Sequence, residues 1–268
     1  MTMKIGFIGA GNMGSALARA VCKSAGGQNV LITDLFMDKA QAVAAELNAQ
    51  AADIHQVAGS CQRIFLGVKP QMMEDMLQQI APILKERTDR YVLITMAAGL
   101  SCARIREMVG LPCPIIRVMP NTPAAIGQGV LQFCGLDTST EELEQFRTMM
   151  APAGLVDQVP EGMIDAASAV SGCGPAYVYL LIEALADGGV ACGLPRDKAQ
   201  AYAAQMVAGA AQMVLHSGQH PGALKDAVCS PGGTTIQGVR TLEERGFRAA
   251  AMDAVIAAYD KTIELSKK

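Results

Sequence analysis

The sequence predicts an α/β domain followed by an all-helical one, and three observations predict it. Short apolar runs alternate with helical patterns from residue 4 to about 135. A glycine-rich turn, Gly9-Ala10-Gly11-Asn12-Met13-Gly14, joins the first such run to the first helical pattern. From Ile164 onward almost every segment has helical periodicity. Strands that are apolar throughout, alternating with helices, belong to a parallel sheet covered on both faces.

The expected strands are 4–8, 30–33, 64–68, 91–96, 114–118 and 130–133, with a short one at 154–158. The expected helices between them are 12–24, 37–49, 72–84, 103–109 and 140–149. The character changes near Pro160, which sets the expected domains at 1–159 and 160–268. In the second part the helices are 164–171, 174–191, 196–217, 221–228, 234–244 and 247–265. Their breaks are Gly193-Leu194-Pro195, Gly218 to Pro221, Ser230 to Gly233, and Gly246, where backbone chemistry stops helices. Their faces are rich in Ala and Gly, as at Ala203-Ala204 and Gly209-Ala210-Ala211. So small and apolar a helical half is expected to pack against a second copy of itself, as a homodimer or higher homo-oligomer.

The net charge of −3, with no long basic run and cations clustered at an end only as Lys267-Lys268, gives counterion-release binding to nucleic acid little to work with. The residues Met1 to Gly9 lack the apolar region and cleavage site of a signal peptide. The most apolar later stretch, Tyr177 to Leu194, carries Glu183 and Asp187, and reads as a core helix rather than a membrane span. Eight cysteines show no CxxC spacing, as expected of small buried side chains in a reducing cytoplasm. No metal site is expected.

The G-x-G-x-x-G turn follows a strand and opens a helix, the context of a Rossmann dinucleotide site. Gly9 allows the tight turn, Gly11 lets a pyrophosphate approach the backbone, and Gly14 lets the helix pack on the strand. Ile8, Ala10, Asn12 and Met13 complete the cradle. Asp34 stands 20 residues after Gly14, beside Thr33, where a carboxylate accepts from a ribose 2′-hydroxyl and favours NADH; nearby Lys39 leaves NADPH open. Ligands of open α/β sheets lie beyond the carboxyl ends of strands. That places Gly67-Val68-Lys69-Pro70, Met96-Ala97-Ala98 and Asn121, in the rigid Pro120-Asn121-Thr122-Pro123 loop, along the cofactor.

The second constellation is Ser230-Pro231-Gly232-Gly233-Thr234-Thr235 at a helix start. Exposed N–H groups and hydroxyls there suit a carboxylate. His55, His216 and His220 read as loop or helix-end residues, and Glu183 with Asp187 as a structural i, i+4 pair.

The run Pro221-Gly222-Ala223-Leu224-Lys225-Asp226-Ala227-Val228-Cys229-Ser230-Pro231-Gly232-Gly233-Thr234-Thr235-Ile236 resembles the signature of the pyrroline-5-carboxylate reductases. The likeness extends over the chain, through residues 7–14, Val68-Lys69-Pro70, Ala97-Ala98-Gly99, Met119 to Pro123, Ser171 to Tyr177, and Glu183 to Asp187. It implies a Rossmann domain followed by a helical dimerisation domain of the 6-phosphogluconate-dehydrogenase-like kind. It implies hydride transfer from NADPH or NADH to 1-pyrroline-5-carboxylate, giving L-proline. It implies that Ser230, Gly232, Gly233 and Thr234 hold the substrate carboxylate, that Thr235 meets the ring nitrogen, and that Glu161 stands near the substrate. It also implies an active site completed by helices of a partner subunit. Departures are Ile54 where the family commonly has Asn, Cys173 where serine is usual, and Ala227 where some members carry a polar residue. The residues just after Gly174, Pro175 to Tyr179, include no lysine, whereas the related β-hydroxyacid dehydrogenases place one early on that helix.

Overall fold

In the computed structural model residues 3–266 are described, so the Lys267-Lys268 pair, like Met1 and Thr2, lies outside the described residues. The first unit is built from β1 (Ile5–Ile8), α1 (Asn12–Ala25), β2 (Val30–Thr33), α2 (Met37–Leu47), β3 (Gln50–Ala51), α3 (Ile54–Ser60), β4 (Arg63–Leu66), α4 (Met73–Lys85), β5 (Val92–Thr95), α5 (Cys102–Val109), β6 (Ile115–Met119), β7 (Gly129–Leu136), α6 (Thr140–Met150), β8 (Gly154–Gln158) and α7 (Glu161–Ser171). There follow α8 (Gly174–Ala191), α9 (Arg196–Ser217), α10 (Pro221–Ala227), α11 (Thr234–Glu244) and α12 (Phe247–Ser266). Two compact units result: one runs to Cys173 and resumes at Ala258, and the other is Gly174–Ala257.

The eight strands form one sheet in the order β3-β2-β1-β4-β5-β6-β7-β8. Every residue of β1, β2, β4, β5 and β6 is buried, as two covered faces require. Alternate residues go to opposite faces. Phe65 joins the core that includes Phe7, Leu17, Val21 and Phe146, whereas its neighbours Ile64 and Leu66 join Leu77, Ile80 and Ile105. Phe7 stacks on Phe65 with ring centroids 4.3 Å apart. The chain turns back at β1, which lies between β2 and β4, and this switch point leaves a crevice beyond their carboxyl ends.

Two features differ from the sequence reading. The pair β6–β7 is antiparallel, although the sheet is otherwise parallel. Only residues 120–128 separate those strands. A parallel crossover takes roughly a dozen residues or more, so the chain must return as a hairpin. The segment β3–α3 was not expected, and His55 lies in the first turn of α3. A two-residue strand and a seven-residue helix are too short to establish periodicity.

In the second unit α8 packs on α9 through Ala186, Ala199 and Ala203, flanked by Ile182 and Val190. Tyr177 donates to the carbonyl of Ala254 at 3.1 Å. This small core leaves large apolar side chains exposed, among them Tyr179, Leu180, Met206, Met213 and Leu215. The expectation of a core helix at Tyr177–Leu194 is therefore not met within one chain, where Ala186 is the buried residue of α8. Residues Glu161–Ala191 are long and apolar enough, by length and composition alone, to cross a membrane. A helix covered by a second chain has the same composition.

Candidate active site

The glycine turn occupies the crevice at the end of β1. Gly9 has φ +112°, and a Cβ there would lie 2.5 Å from the carbonyl oxygen of Gly67. A Cβ on Gly14 would lie 2.2 Å from the oxygen of Gly9. Both positions therefore admit only glycine. Gly11 is different: a Cβ there would meet nothing within 4 Å. Gly11 caps α1 with no side-chain acceptor on its first N–H groups. Uncapped donors at a helix N-terminus, beside open space over a glycine, fit a dinucleotide pyrophosphate. Ile8 and Ala10 are buried in the turn, while Gly11 and Asn12 are exposed and Met13 half-buried.

The carbonyl of buried Thr33 accepts from Gly9 N–H at 2.8 Å. Asp34 accepts from the backbone N–H of Ala10 at 2.7 Å with Oδ2, and from that of Phe36 at 3.0 Å with Oδ1. One carboxylate thus braces the turn and the start of the next loop. Leu35 and Phe36 beside it are exposed, and the Lys39 ammonium lies 5.0 Å from the Phe36 ring centroid.

Gly67 and Val68 follow β4 half-buried, and Lys69 and Pro70 are exposed. Met96 and Ala98 are accessible after β5, while Ala97 is buried and donates to the Thr95 hydroxyl at 3.3 Å. Asn121 is buried: its side chain donates to the carbonyl of Ser171 and accepts from Val130 N–H, both at 2.9 Å. Its amide is engaged within the protein.

Glu161 begins α7. Its Oε1 accepts from Cys102 N–H at 2.7 Å, at the first turn of α5, and lies 3.7 Å from Nη1 of Arg117. Buried Arg117 pairs more closely with Asp165, at 2.5 Å. Beneath Glu161 the thiols of Cys102 and Cys134 lie 3.9 Å apart. The contact with Cys134, and then burial, push the Cys102 thiol up. Cys134 is correspondingly lowered, helped by the Arg117 charge. No sequence signal marked Arg117, Asp165 or this thiol pair, because their partners are far apart in the chain.

In the second unit, Gly232 has φ +69°, and Gly233 N–H closes a turn onto the carbonyl of Ser230 at 3.0 Å. Gly233 then caps α11 without any side-chain hydrogen bond. Ser230, Thr234 and Thr235 are exposed around these free donors. His220 caps α10, its Nδ1 accepting from Gly222 N–H at 3.0 Å, a structural task. Asp187 pairs with Arg196 rather than with Glu183.

The model of pyrroline-5-carboxylate reductase dimerisation matches residues 161–265, and that of coenzyme F420-dependent NADP oxidoreductases matches 4–99. Pyrroline-5-carboxylate reductase of Escherichia coli K12 is 41% identical, across 100% of both chains. Pyrroline-5-carboxylate reductase 3 of Danio rerio is 39% identical, across 99% of this chain and 92% of the relative. The chain belongs to the pyrroline-5-carboxylate reductase family. Solved reductases of this family superpose over the whole chain. The Plasmodium falciparum enzyme, solved with NADP bound, gives a TM-score of 0.88 at 33% identity, over 98% of each chain. The Coxiella burnetii enzyme gives 0.90 at 30% identity, over 100% of each. The fold is the family's Rossmann-like domain with a helical dimerisation domain.

Proposed function

We propose that this protein reduces 1-pyrroline-5-carboxylate to L-proline with NADPH or NADH, the last step of proline biosynthesis. The observation that carries the reading is the open cradle at Gly11, at the switch point of the sheet, in a chain related over its full length to reductases of that name. The cofactor supplies a hydride from C4 of its nicotinamide. One hydride and one proton convert the cyclic imine to the amine, and the nitrogen takes its proton from water, so no strong general acid is required.

The chain's own part is binding and alignment. The first N–H groups of α1 and the turn Ile8 to Gly14 hold the pyrophosphate. Thr33 and Asp34 face the adenosine ribose. Gly67, Val68, Lys69 and Pro70, with Met96, Ala97 and Ala98, present main chain and small side chains to a flat ligand. Asn121 braces the loop after β6 through its bonds to Ser171 and Val130. In the helical unit, Ser230, Gly232, Gly233 and Thr234 offer uncapped donors to the substrate carboxylate. Thr235 orients the ring nitrogen with its hydroxyl, and Glu161 stands near the substrate.

We also place the boundary between the cofactor domain and the helical domain at 159/160, where Pro160 caps α7. Apolar side chains left exposed on α8 and α9 support a homodimer or higher homo-oligomer. Eight free cysteines support a reducing cytoplasmic location, the net charge of −3 argues against nucleic acid as a partner, and Glu183 and Asp187 in the most apolar stretch argue against a membrane. The test is an assay of the purified protein with NADPH or NADH and racemic pyrroline-5-carboxylate. Loss of reduced-nicotinamide absorbance with formation of proline is expected, and no oxidation of either cofactor refutes the reading.

A further inference from the structure

The proposed reaction has no use for the paired thiols beside Glu161. We propose that Cys102, Cys134 and Glu161 form a binding site for one thiophilic divalent cation of the zinc class.

Geometry is the first argument. The ligand atoms of all three residues lie within 4.8 Å of one another. Two thiolates on a tetrahedral zinc, each about 2.3 Å from the metal, stand roughly 3.8 Å apart. The sulfurs of Cys102 and Cys134 are 3.9 Å apart, so they need almost no movement to share an ion. A disulfide would need them to close to about 2.05 Å and would leave the carboxylate without a part.

The donors are also held in place. Cys102 is the first residue of α5, whose start is capped by Ser101. Cys134 lies in the sheet, paired in register with Arg117. Glu161 opens α7 and already reaches Cys102 N–H. All three belong to the first unit. Both thiols are buried, while the Glu161 side chain is 36% exposed, so an ion enters from that side and keeps a water as its fourth ligand.

Charge and softness decide which ion. Binding displaces the two thiol protons to solvent and forms two metal–sulfur bonds and one metal–oxygen bond, with no change of oxidation state. Two thiolates and a carboxylate exceed a divalent cation by one negative charge. The Arg117 guanidinium, 3.7 Å from Glu161 and shared with Asp165, faces that excess. Thiolate donors select zinc-like ions over magnesium or calcium.

The test uses the full-length protein, reduced and stripped with a chelator, titrated anaerobically with Co²⁺ alone. One equivalent per chain is expected to give sulfur-to-cobalt charge transfer and the visible bands of tetrahedral cobalt, both abolished by Zn²⁺. Cys102→Ala and Cys134→Val are each expected to weaken binding about 100-fold, and Cys192→Ser to leave it unchanged. Melting curves of the metal-free variants establish that they are folded. If either variant fails to fold, X-ray absorption of the zinc-loaded wild type decides, with two sulfurs and two lighter atoms expected. No thiolate band at excess Co²⁺, a band that survives Cys102→Ala, or a shell without two sulfurs overturns the proposal.

Discussion

The backbone N–H of Ala10 donates to Oδ2 of Asp34 at 2.7 Å, so the carboxylate just after β2 braces the glycine-rich turn after β1. The same carboxylate opposes a 2′-phosphate by charge. Replacing it by a neutral hydroxyl keeps a hydrogen-bond acceptor and removes the repulsion. Asp34→Ser is expected to raise the ratio of kcat/KM for NADPH over NADH by about tenfold. Steady-state kinetics with both cofactors check this, and an unchanged ratio removes Asp34 from the choice.

Gly11 and Gly14 separate ligand contact from packing. A Cβ at Gly11 enters open space, and its φ of −70° suits any residue. Gly11→Ala is expected to lose no more than about 1 kcal/mol of stability while weakening cofactor binding about tenfold or more. A Cβ at Gly14 would stand 2.2 Å from a backbone oxygen, so Gly14→Ala is expected to lose about 1–3 kcal/mol as well as cofactor affinity. Melting temperatures and cofactor titrations of the two variants distinguish these outcomes.

Arg117 ties the sheet to α7 through Asp165 and Glu161. Removing one member of a buried pair strands the other charge. Arg117→Met is expected to lose about 3 kcal/mol, and Arg117→Met with Asp165→Leu to recover much of it. Denaturant unfolding of both variants measures the difference.

Glu142 receives both arms of the Arg90 guanidinium at 2.9 Å and closes a capping box with Ser139. The Arg90 contact lowers its carboxyl to about 2. A lowered carboxylate contributes stability above its unfolded value, near 4.3, that is lost as pH falls toward the folded value. Because Arg90 is more than half exposed, the contribution is discounted to about 1–2 kcal/mol. Glu142→Gln is expected to show that deficit at neutral pH and to match the wild type near the folded value. Unfolding curves across the acid range check it.

Thr235 is assigned by its hydroxyl alone. Thr235→Ala is expected to lower kcat about 10–100-fold, while Thr235→Ser keeps most of it. Full turnover by the alanine variant removes Thr235 from its role and leaves the reaction class standing.

Much of this was legible in the sequence because the signals are local. The turn from Gly9 to Gly14 needs glycines at set spacing, and at Gly9 and Gly14 a Cβ would collide with backbone, as that spacing implies. The strands β1 and β2 and the long helices follow from periodicity. The hairpin of β7 was missed because an apolar strand reads the same in either direction. The first turn of α7 was missed because Glu161 to Met163 lack a clear apolar stripe. The pairing of Arg117 with Asp165, the bracing by Asn121, and the meeting of Cys102 with Cys134 join residues that only the fold brings together.

The central claim is hydride transfer to an imine carbon, and isotope placement tests it directly. NADPH carrying deuterium at the transferred position of nicotinamide C4 is incubated with pyrroline-5-carboxylate and the wild-type protein. The account predicts proline with one deuterium on C5, the former imine carbon. Proline without deuterium, or cofactor oxidation without proline, contradicts it.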